Sequence, residues 1–311
     1  MSKRTLTKPP SILPLYARAA APMIPGASLL PFVPGRGKDI PDVELTLPDV
    51  QADPDAVAAY AKVCGFALRG TLPATYPHVL AFPLHMAVMA DGGFPFGAVG
   101  LVHVENRIVQ HRPIALDERI TLRVSATKLE PHPKGRTFTI VSEARVGRQK
   151  VWEDHSTMLR RGGGNGGGGE TAAKPDERPD ASELPAGGEW RLGGDLGRRY
   201  AAVSGDRNPI HMHALTAKPL GFPSAIAHGM WTKARSLAAL ESKLPDAFSV
   251  EVSFRRPILL PATVAFASDE QGGGATRFAV RDARKGTPHL DGRIEPVEAK
   301  QKTSTGRKNA S

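Results

Sequence analysis

The clearest hydrophobic pattern of the chain lies in its second half, between residues 224 and 244. Apolar side chains recur there every three or four residues, a spacing that gathers them on one face of a helix. The pattern predicts an amphipathic helix over Ser224–Leu244. The apolar positions that define it are Ile226, Met230, Ala234, Leu237 and Leu240.

Strand-like patterns follow this helix. Residues 248–260 and 276–285 alternate apolar and polar side chains, which is typical of half-buried strands. The first half has the same order, with helical turns near Tyr60 and Tyr200 preceding the apolar helix of each half. Helices followed by strands predict an α+β fold in which each helix packs on an antiparallel sheet.

Two short matches indicate an internal duplication. The tripeptide "RPI" begins at Arg112 and again at Arg256, and each copy leads into an alternating stretch. Upstream, "YAKVCGF" starts at Tyr60 and "YAAVSGD" at Tyr200. The matches occur in the same order at nearly the same separation, so we expect two copies of one structural unit.

A glycine-rich segment separates the copies. Seven of the eight residues from Gly162 to Gly169 are glycine, and a polar, proline-containing stretch follows. A flexible coil of this length spans on the order of 30 Å, enough for the halves to pack side by side. The predicted layout is an N-terminal extension, a first unit, a linker, a second unit and a basic tail, at residues 1–40, 41–161, 162–188, 189–296 and 297–311.

Composition narrows the class of protein. With 41% hydrophobic and 23% charged residues the chain is globular rather than disordered. Most of its net charge of +10 lies in the two ends, so a basic, aromatic-rich surface for nucleic acid is not expected. Cys64 is the single cysteine, which excludes an intramolecular disulfide and favours a reducing compartment.

The apolar stretch near the N-terminus is not expected to span a membrane. It contains four prolines and is shorter than the ~20 continuous apolar residues that a span requires. Together with the reducing compartment that the single Cys64 favours, this predicts a cytoplasmic protein. An organelle transit peptide is the alternative, although the stretch lacks an amphipathic arginine pattern.

The segment "SGDRNPIH" carries the candidate chemistry. Gly205 and Pro209 make it turn-rich, so the side chains of Asp206 and His211 can converge across the bend. The apolar helix then begins, and the first N–H groups of a helix are unpaired and carry the positive end of its dipole. A carboxylate, an imidazole and free N–H donors form a proton-transfer site with an oxyanion hole.

The whole stretch from Tyr200 to Trp231, "YAAVSGDRNPIH…GFPSAIAHGMW", resembles the signature of the MaoC-like (R)-specific enoyl-thioester hydratases, the hydratase 2 family. The close match covers about 30 residues, and the two "RPI" strands extend it loosely. The resemblance implies the hot-dog fold, a long helix wrapped by an antiparallel sheet. With two units in one chain, it implies a double hot-dog.

The resemblance also implies roles for individual residues. Asp206 and His211 would hold the catalytic water, and the N–H of Gly229 would stabilise the thioester oxygen. Asn208 would support the loop. Supporting positions beside these are Ser204 and His228.

The first half lacks these residues. Phe66 stands in the place of Asp206, Cys64 in that of Ser204, and Pro83, which has no N–H, in that of Gly229. We therefore expect the first half to supply an apolar wall for the acyl tail. The predicted wall residues are Phe82, Met86, Met89, Phe94 and Phe96.

Other chemistries are less favoured by the sequence. "HMH" at 211–213 with His228 suggests a metal, but no acidic or cysteine residue stands at a ligand spacing, so no metal is expected. Ser204 lacks the G-x-S-x-G frame of a hydrolase nucleophile. Arg112 and Arg256 are interpreted as structural. The remaining histidines have no chemical partners in the sequence, namely His78, His85, His103, His111, His132, His155 and His289.

The predicted function is reversible hydration of trans-2-enoyl thioesters to (R)-3-hydroxyacyl thioesters in fatty-acid metabolism, with no cofactor. A non-catalytic acyl-thioester binding module and a hot-dog thioesterase are the alternatives. The expected partner is an acyl-CoA or acyl carrier protein thioester, with no nucleic acid and no membrane span. The chain is expected to be a monomer or a homodimer. Which of Asp206 and His211 is the base stays open here, as do chain length, thioester carrier and pathway.

Overall fold

In the computed structural model, which describes residues 2–21, 35, 37–98, 100–162 and 184–298, each half contains helices and an antiparallel sheet. The elements up to residue 162 are β1 (Ser2–Thr5), α1 (Ile12–Ala20), β2 (Val43–Val50), α2 (Pro54–Cys64), α3 (Tyr76–Met89), β3 (Val102–Gln110), β4 (Ile120–Ala126), β5 (Glu130–His132), β6 (Gly135–Val146) and β7 (Gln149–Arg161).

The second half has the same kinds of elements. They are β8 (Ala186–Leu192), α4 (Leu196–Ser204), α5 (Pro209–Met212), α6 (Ala214–Ala217), α7 (Gly229–Ala239), β9 (Phe248–Phe254), β10 (Ala262–Glu270), β11 (Thr276–Asp282) and β12 (Pro288–Pro296). Among the described residues, no helix is long and apolar enough to cross a membrane.

The strands of both halves form one continuous sheet. Its order is β1-β2-β4-β6-β7-β3-β9-β12-β11-β10-β8, and β5 pairs with β6. The order β2-β4-β6-β7-β3 is repeated in reverse by β9-β12-β11-β10-β8, as two copies of one unit require. The copies meet where β3 and β9 pair antiparallel, with Asn106 opposite Val252 and Ile108 opposite Val250. The predicted α+β class is confirmed.

The bounds of the units differ slightly from those predicted. The strand β8 begins at Ala186, inside the segment predicted as linker, because its backbone pairs with β10. Within the predicted N-terminal extension, residues 2–5 join the sheet, since β1 adds a parallel strand to β2. Residues 163–183 of the predicted linker and 299–311 of the predicted tail lie outside the described residues.

The helix predicted over 224–244 is shorter than expected. Residues 225–227 are extended because their backbone bonds elsewhere: Ile226 N–H donates to Ile210 O, and Ala227 N–H to Ile258 O, at 3.0 Å each. The helix α7 starts at Gly229 and ends at Ala239. Its apolar face is buried as the periodicity predicted.

The helices α2 and α4 end in the same way. Gly65 and Gly205 both adopt the left-handed conformation, at φ 85° and 76°, which closes each helix through an N–H bond to the carbonyl four residues earlier. Phe66 therefore follows its helix as Asp206 follows α4. The two helices pack together, with the rings of Tyr60 and Tyr200 6.1 Å apart.

Candidate functional site

The loop after α4 brings Asp206 and His211 to one place. Asn208 caps α5, and its side-chain oxygen accepts from the N–H of Ile210 at 3.4 Å. Ser204 Oγ, at the end of α4, accepts from the N–H of Asp206 at 3.2 Å. Pro209 begins α5 at the position where proline is tolerated best. These local contacts fix the bend that the sequence predicted.

His211 is held by its Nδ1 atom, which lies 2.8 Å from the carbonyl oxygen of Ile226. A carbonyl oxygen only accepts, so Nδ1 carries the proton and Nε2 of the neutral ring is a free acceptor. Burial lowers the pKa of His211, against the opposing charge of Asp206. A neutral His211 with this orientation can accept a proton at Nε2.

His228 lies directly against His211. The two rings stack with centroids 3.6 Å apart, and His228 Nε2 lies 3.0 Å from the carbonyl oxygen of Asp206. Burial and the neighbouring His211 lower the pKa of His228 to about 3. His228 thus stays neutral and donates its Nε2 proton to the loop, which fits the supporting position predicted for it.

Asp206 uses one carboxylate oxygen for the fold. Oδ1 accepts from the hydroxyl of Tyr16 at 2.9 Å and from the N–H of Asn208 at 3.1 Å. Burial acts to raise the pKa of Asp206. The positive charge that His228 or His211 carries when protonated, together with these two donors, outweighs burial, so the pKa lies below its usual value. The carboxylate is ionised, and neither donor occupies Oδ2.

Tyr16 is a site residue that the sequence did not indicate. It lies on α1, 190 residues before Asp206, and its hydroxyl oxygen also accepts from the N–H of Arg207 at 2.7 Å. Burial, Asp206 and the hydrogen bond to it raise the pKa of Tyr16 well above its usual value, so it remains a donor. The N-terminal extension thereby closes one side of the site.

We expect Tyr16→Phe to lower kcat about tenfold with little change in KM, because a hydrogen bond to a charged group contributes ~1.5–3 kcal/mol. Steady-state kinetics on a trans-2-enoyl thioester, the substrate class that the sequence resemblance implies, would measure this. Tyr76→Phe is the control, since its ring packs on Tyr60 rather than on the Asp206 loop. Equal losses in both variants, or a change confined to KM, would contradict the positioning of Asp206 by Tyr16.

Gly229 is the first residue of α7. The N–H at this position has no carbonyl acceptor within the helix and lies at the positive end of the dipole. A Cβ atom on Gly229 would lie 2.9 Å from Cε1 of Phe254, so any larger residue would displace that ring. The geometry explains the glycine and leaves its amide as a candidate oxyanion donor.

A cavity joins these groups to the first half. It is lined by Asp206, His211 and Gly229, and it continues between α3, β3 and β7. Of the predicted wall residues, Phe82 and Met89 line it, and Met86 lines an adjoining pocket that also reaches Tyr16 and Asp206. Phe94 and Phe96 instead pack on each other and on Phe138.

The interpretation of three histidines as isolated residues was wrong. His78, His85 and His103 all line the cavity, and His78 Nδ1 lies 2.7 Å from the buried carboxylate of Asp154. His85 Nε2 lies 2.7 Å from Ser142 Oγ. The sequence could not reveal this cluster because its members come from α3, β3, β6 and β7.

Pro83 and Gly229 do not occupy equivalent positions in their helices, contrary to the prediction from sequence. Pro83 lies inside α3, which begins at Tyr76, whereas Gly229 begins α7. The first half therefore has no helix start at that place, in addition to lacking the N–H. Cys64 ends α2 as Ser204 ends α4, as the alignment of the two segments predicted.

The two "RPI" arginines differ in their surroundings. Arg112 forms a two-pronged ion pair with Glu118, at 2.7 and 2.8 Å, which fits a structural role. Arg256 lines the cavity, and its carbonyl oxygen accepts a hydrogen bond from Nδ1 of His289 at 2.9 Å. Arg256 is thus both a structural residue and part of the cavity wall.

Two groups of side chains could hold a metal ion, although the sequence spacing did not indicate either. Asp206, His211 and His228 offer ligand atoms within 4.8 Å of one another, and so do His78, His85 and Asp154. An acidic partner is thus present in each group, although the sequence spacing did not show it. The contacts already described engage His211 Nδ1, His228 Nε2 and His78 Nδ1. The absence of a metal stays a prediction.

The chain is similar to known proteins. A family model described as "MaoC like domain" matches residues 178–292. The 3-hydroxyacyl-thioester dehydratase X of Mycobacterium tuberculosis is 40% identical over 281 residues, which cover 90% of this chain and 96% of that protein.

Solved structures are similar as well. The crystal structure of HtdX of M. tuberculosis has a TM-score of 0.72 at 37% identity, covering 82% of this chain and 100% of that one. A second M. tuberculosis protein, described as having a double hotdog fold, has a TM-score of 0.50 at 15% identity, covering 79% of this chain and 92% of that one. The predicted double hot-dog fold is confirmed.

Proposed function

The chain belongs to the MaoC-like dehydratase family, and we propose that it adds water reversibly to trans-2-enoyl thioesters, giving (R)-3-hydroxyacyl thioesters. It is then a hydro-lyase of fatty-acid metabolism. The observation that carries the proposal is the pairing of an ionised Asp206 with a His211 whose Nε2 is unprotonated, beside a helix N-terminus. These are the parts that addition of water to an activated double bond requires.

In the proposed reaction one water molecule lies between Asp206 Oδ2 and His211 Nε2. Its oxygen attacks C3 of the enoyl group while His211 Nε2 takes one of its protons. The pair of electrons of the double bond moves toward the thioester, and the imidazolium then returns its proton to C2 on the same face. Asp206 orients the water and stabilises the imidazolium, so no other reactant or organic cofactor is needed.

The negative charge that develops on the thioester oxygen requires a donor. The N–H of Gly229 supplies it in the proposal, strengthened by the dipole of α7. A donor held in place by a helix needs no rearrangement during the reaction. Rate enhancement therefore depends on this single backbone position as well as on the two side chains.

The cavity supports a substrate larger than a four-carbon acyl group. It extends from Gly229 past Phe82 and Met89 of the first half, where the acyl tail would lie. Chain length and the choice between CoA and acyl carrier protein are tested by a panel of enoyl thioesters of both kinds. A cytoplasmic location and a monomeric or dimeric state stay predictions.

A paired assay distinguishes this function from its alternatives. Loss of the enoyl absorbance of crotonyl-CoA without release of thiol supports hydration. Thiol release from saturated acyl-CoA would instead identify a thioesterase. Binding of acyl-CoA without either change would identify a binding module and overturn the proposal.

The pH profile of kcat/KM for crotonyl-CoA tests the proposed protonation states. The pKa values of Asp206 and His211 are both lowered, so the active carboxylate and neutral imidazole persist below the ordinary histidine pKa of ~6.5. We expect kcat/KM to stay level from mildly alkaline pH down to about 6.5 and to fall only in more acidic solution. A fall with an apparent pKa above that value would contradict a buried, neutral His211.

A further inference from the structure

The cavity has a second polar region, which the proposed hydration does not use. We call it the histidine cluster: His78 and His85 on α3, His103 on β3 and Asp154 on β7. The three imidazoles line the same cavity as Asp206 and His211. A cavity that receives only a hydrocarbon tail gains nothing from three imidazoles, because such a tail offers them no hydrogen-bond partner.

The Nδ1 edge of the His78 ring is held by a hydrogen bond to Asp154. Its Nδ1 lies 2.7 Å from Asp154 Oδ2, and Asp154 is completely buried. Asp154 also accepts from Asn106 Nδ2 and from Ser156 Oγ, so its oxygens are occupied. Because the Nδ1 edge of His78 is engaged, the part of the ring that lines the cavity is its remaining edge.

One ring nitrogen of His103 lacks a hydrogen-bond partner in the part of the chain that the structure describes. Its Nε2 is buried and has no hydrogen-bond partner among the described residues. Its ring lies parallel to that of His78, at 6.4 Å and 13°. Buried polar atoms without partners are rare in native proteins, and a bound ligand is one explanation for them.

The histidine cluster lies close to the proposed reaction centre. The rings of His103 and Phe254 are 4.9 Å apart, and Phe254 Cε1 lies 2.9 Å from the place of a Cβ on Gly229. A single aromatic ring therefore separates the cluster from the proposed oxyanion donor. An acyl chain that starts at Gly229 and enters the first half passes the cluster within its first several carbon atoms.

The charges around the cluster favour a neutral ligand. Burial lowers the pKa of His85 and of His103 to about 3 each, and a neutral imidazole both donates and accepts. Lys233 Nζ donates to Asn106 and, at 3.1 Å, to Val250 O, and burial lowers the pKa of Lys233 to about 7, against the charge of Asp154. A carboxylate on the ligand would add a second negative charge beside Asp154.

We propose that the histidine cluster binds a hydroxyl or carbonyl oxygen on the acyl chain of the substrate. This inference rests on the proposed hydration of enoyl thioesters. It specifies the substrate class as enoyl thioesters whose acyl chain carries a further oxygen atom a few carbons beyond the double bond. That oxygen bonds to His103 Nε2 and to the free edge of His78. A plain hydrocarbon chain leaves both unpaired, and the pocket selects against it for that reason.

The test compares trans-2-decenoyl-CoA with analogues that carry one hydroxyl at C5, C6, C7 or C8. In the wild type we expect kcat/KM to be about tenfold higher for at least one analogue than for the plain chain, as for one buried hydrogen bond. His103→Phe should bring this ratio to about one. His155→Phe is the matched control, because successive residues of β7 alternate between faces and His155 faces away from Asp154 and Ser156.

Binding separates this proposal from the hydration itself. Calorimetry of decanoyl-CoA and its hydroxyl-bearing analogues with the wild type measures the same preference without turnover or a substitution. If the wild type does not hydrate crotonyl-CoA, the proposed function is refuted. The calorimetric comparison of plain and hydroxyl-bearing chains still tests the histidine cluster in that case. Equal affinity and equal kcat/KM for plain and hydroxyl-bearing chains at every position would overturn the role of the histidine cluster.

Discussion

Replacing Asp206 by asparagine is expected to lower kcat for hydration of crotonyl-CoA by roughly 10²- to 10⁴-fold. That is the usual contribution of a general acid or base, and His211 can make it only on a water molecule that Asp206 holds in place. Asparagine keeps the shape and keeps an oxygen for Tyr16 and Asn208, which donate to Oδ1. Its amide nitrogen, however, donates where Oδ2 should accept from the water. The fold is thus preserved and the orientation of the water is lost.

His211→Ala should cost a similar factor, and the double variant should cost much less than the product of the two. Both side chains act on one water molecule in the proposed reaction. Once one of them is absent, removal of the other therefore lowers kcat little further. Asp55→Asn, an exposed aspartate on α2, is the control for the charge change. Wild-type kcat in Asp206→Asn, with thermal unfolding unchanged, would refute the proposed role of Asp206.

Gly229→Pro is expected to lower kcat by roughly 10²- to 10³-fold, the cost of one lost oxyanion donor. Proline removes the N–H yet suits this position, because it is favoured at the first residue of a helix. The preceding His228 is already extended, at φ −67° and ψ 136°, as a residue before proline must be. The substitution is therefore directed at the donor rather than at α7.

Gly229→Ala is the matched control for this variant. Alanine keeps the N–H, but its Cβ meets the ring of Phe254 just as that of proline does. The ratio of the two kcat values isolates the contribution of the amide. If both variants lose activity equally, the effect is steric and the N–H of Gly229 is not the donor.

The sequence predicted the features that depend on neighbours along the chain. Asp206 and His211 converge because Gly205, Asn208 and Pro209 shape a local bend, and turn residues are readable in sequence. The duplicated order of helices and strands also follows from local patterns. Each of these predictions needed a short segment and no knowledge of what packs against it.

Features that depend on tertiary contacts were missed. Ala225, Ile226 and Ala227 have helical periodicity, yet they are extended because they pair with α5 and with the segment before β10. Tyr16 reaches Asp206 from the far end of the chain, and no motif marks it. Likewise, His78 meets Asp154 only once α3 lies on the sheet. Patterns of polarity do not encode such pairings.

The central claim is that Asp206 and His211 deliver water and a proton to one face of the double bond. It is tested most directly by hydrating crotonyl-CoA with the wild-type protein in D₂O and determining the configuration at C2 and C3 of the product by NMR. The account predicts (R) at C3, with the hydroxyl and the deuterium at C2 added to the same face. An (S) product, or addition to opposite faces, would contradict it.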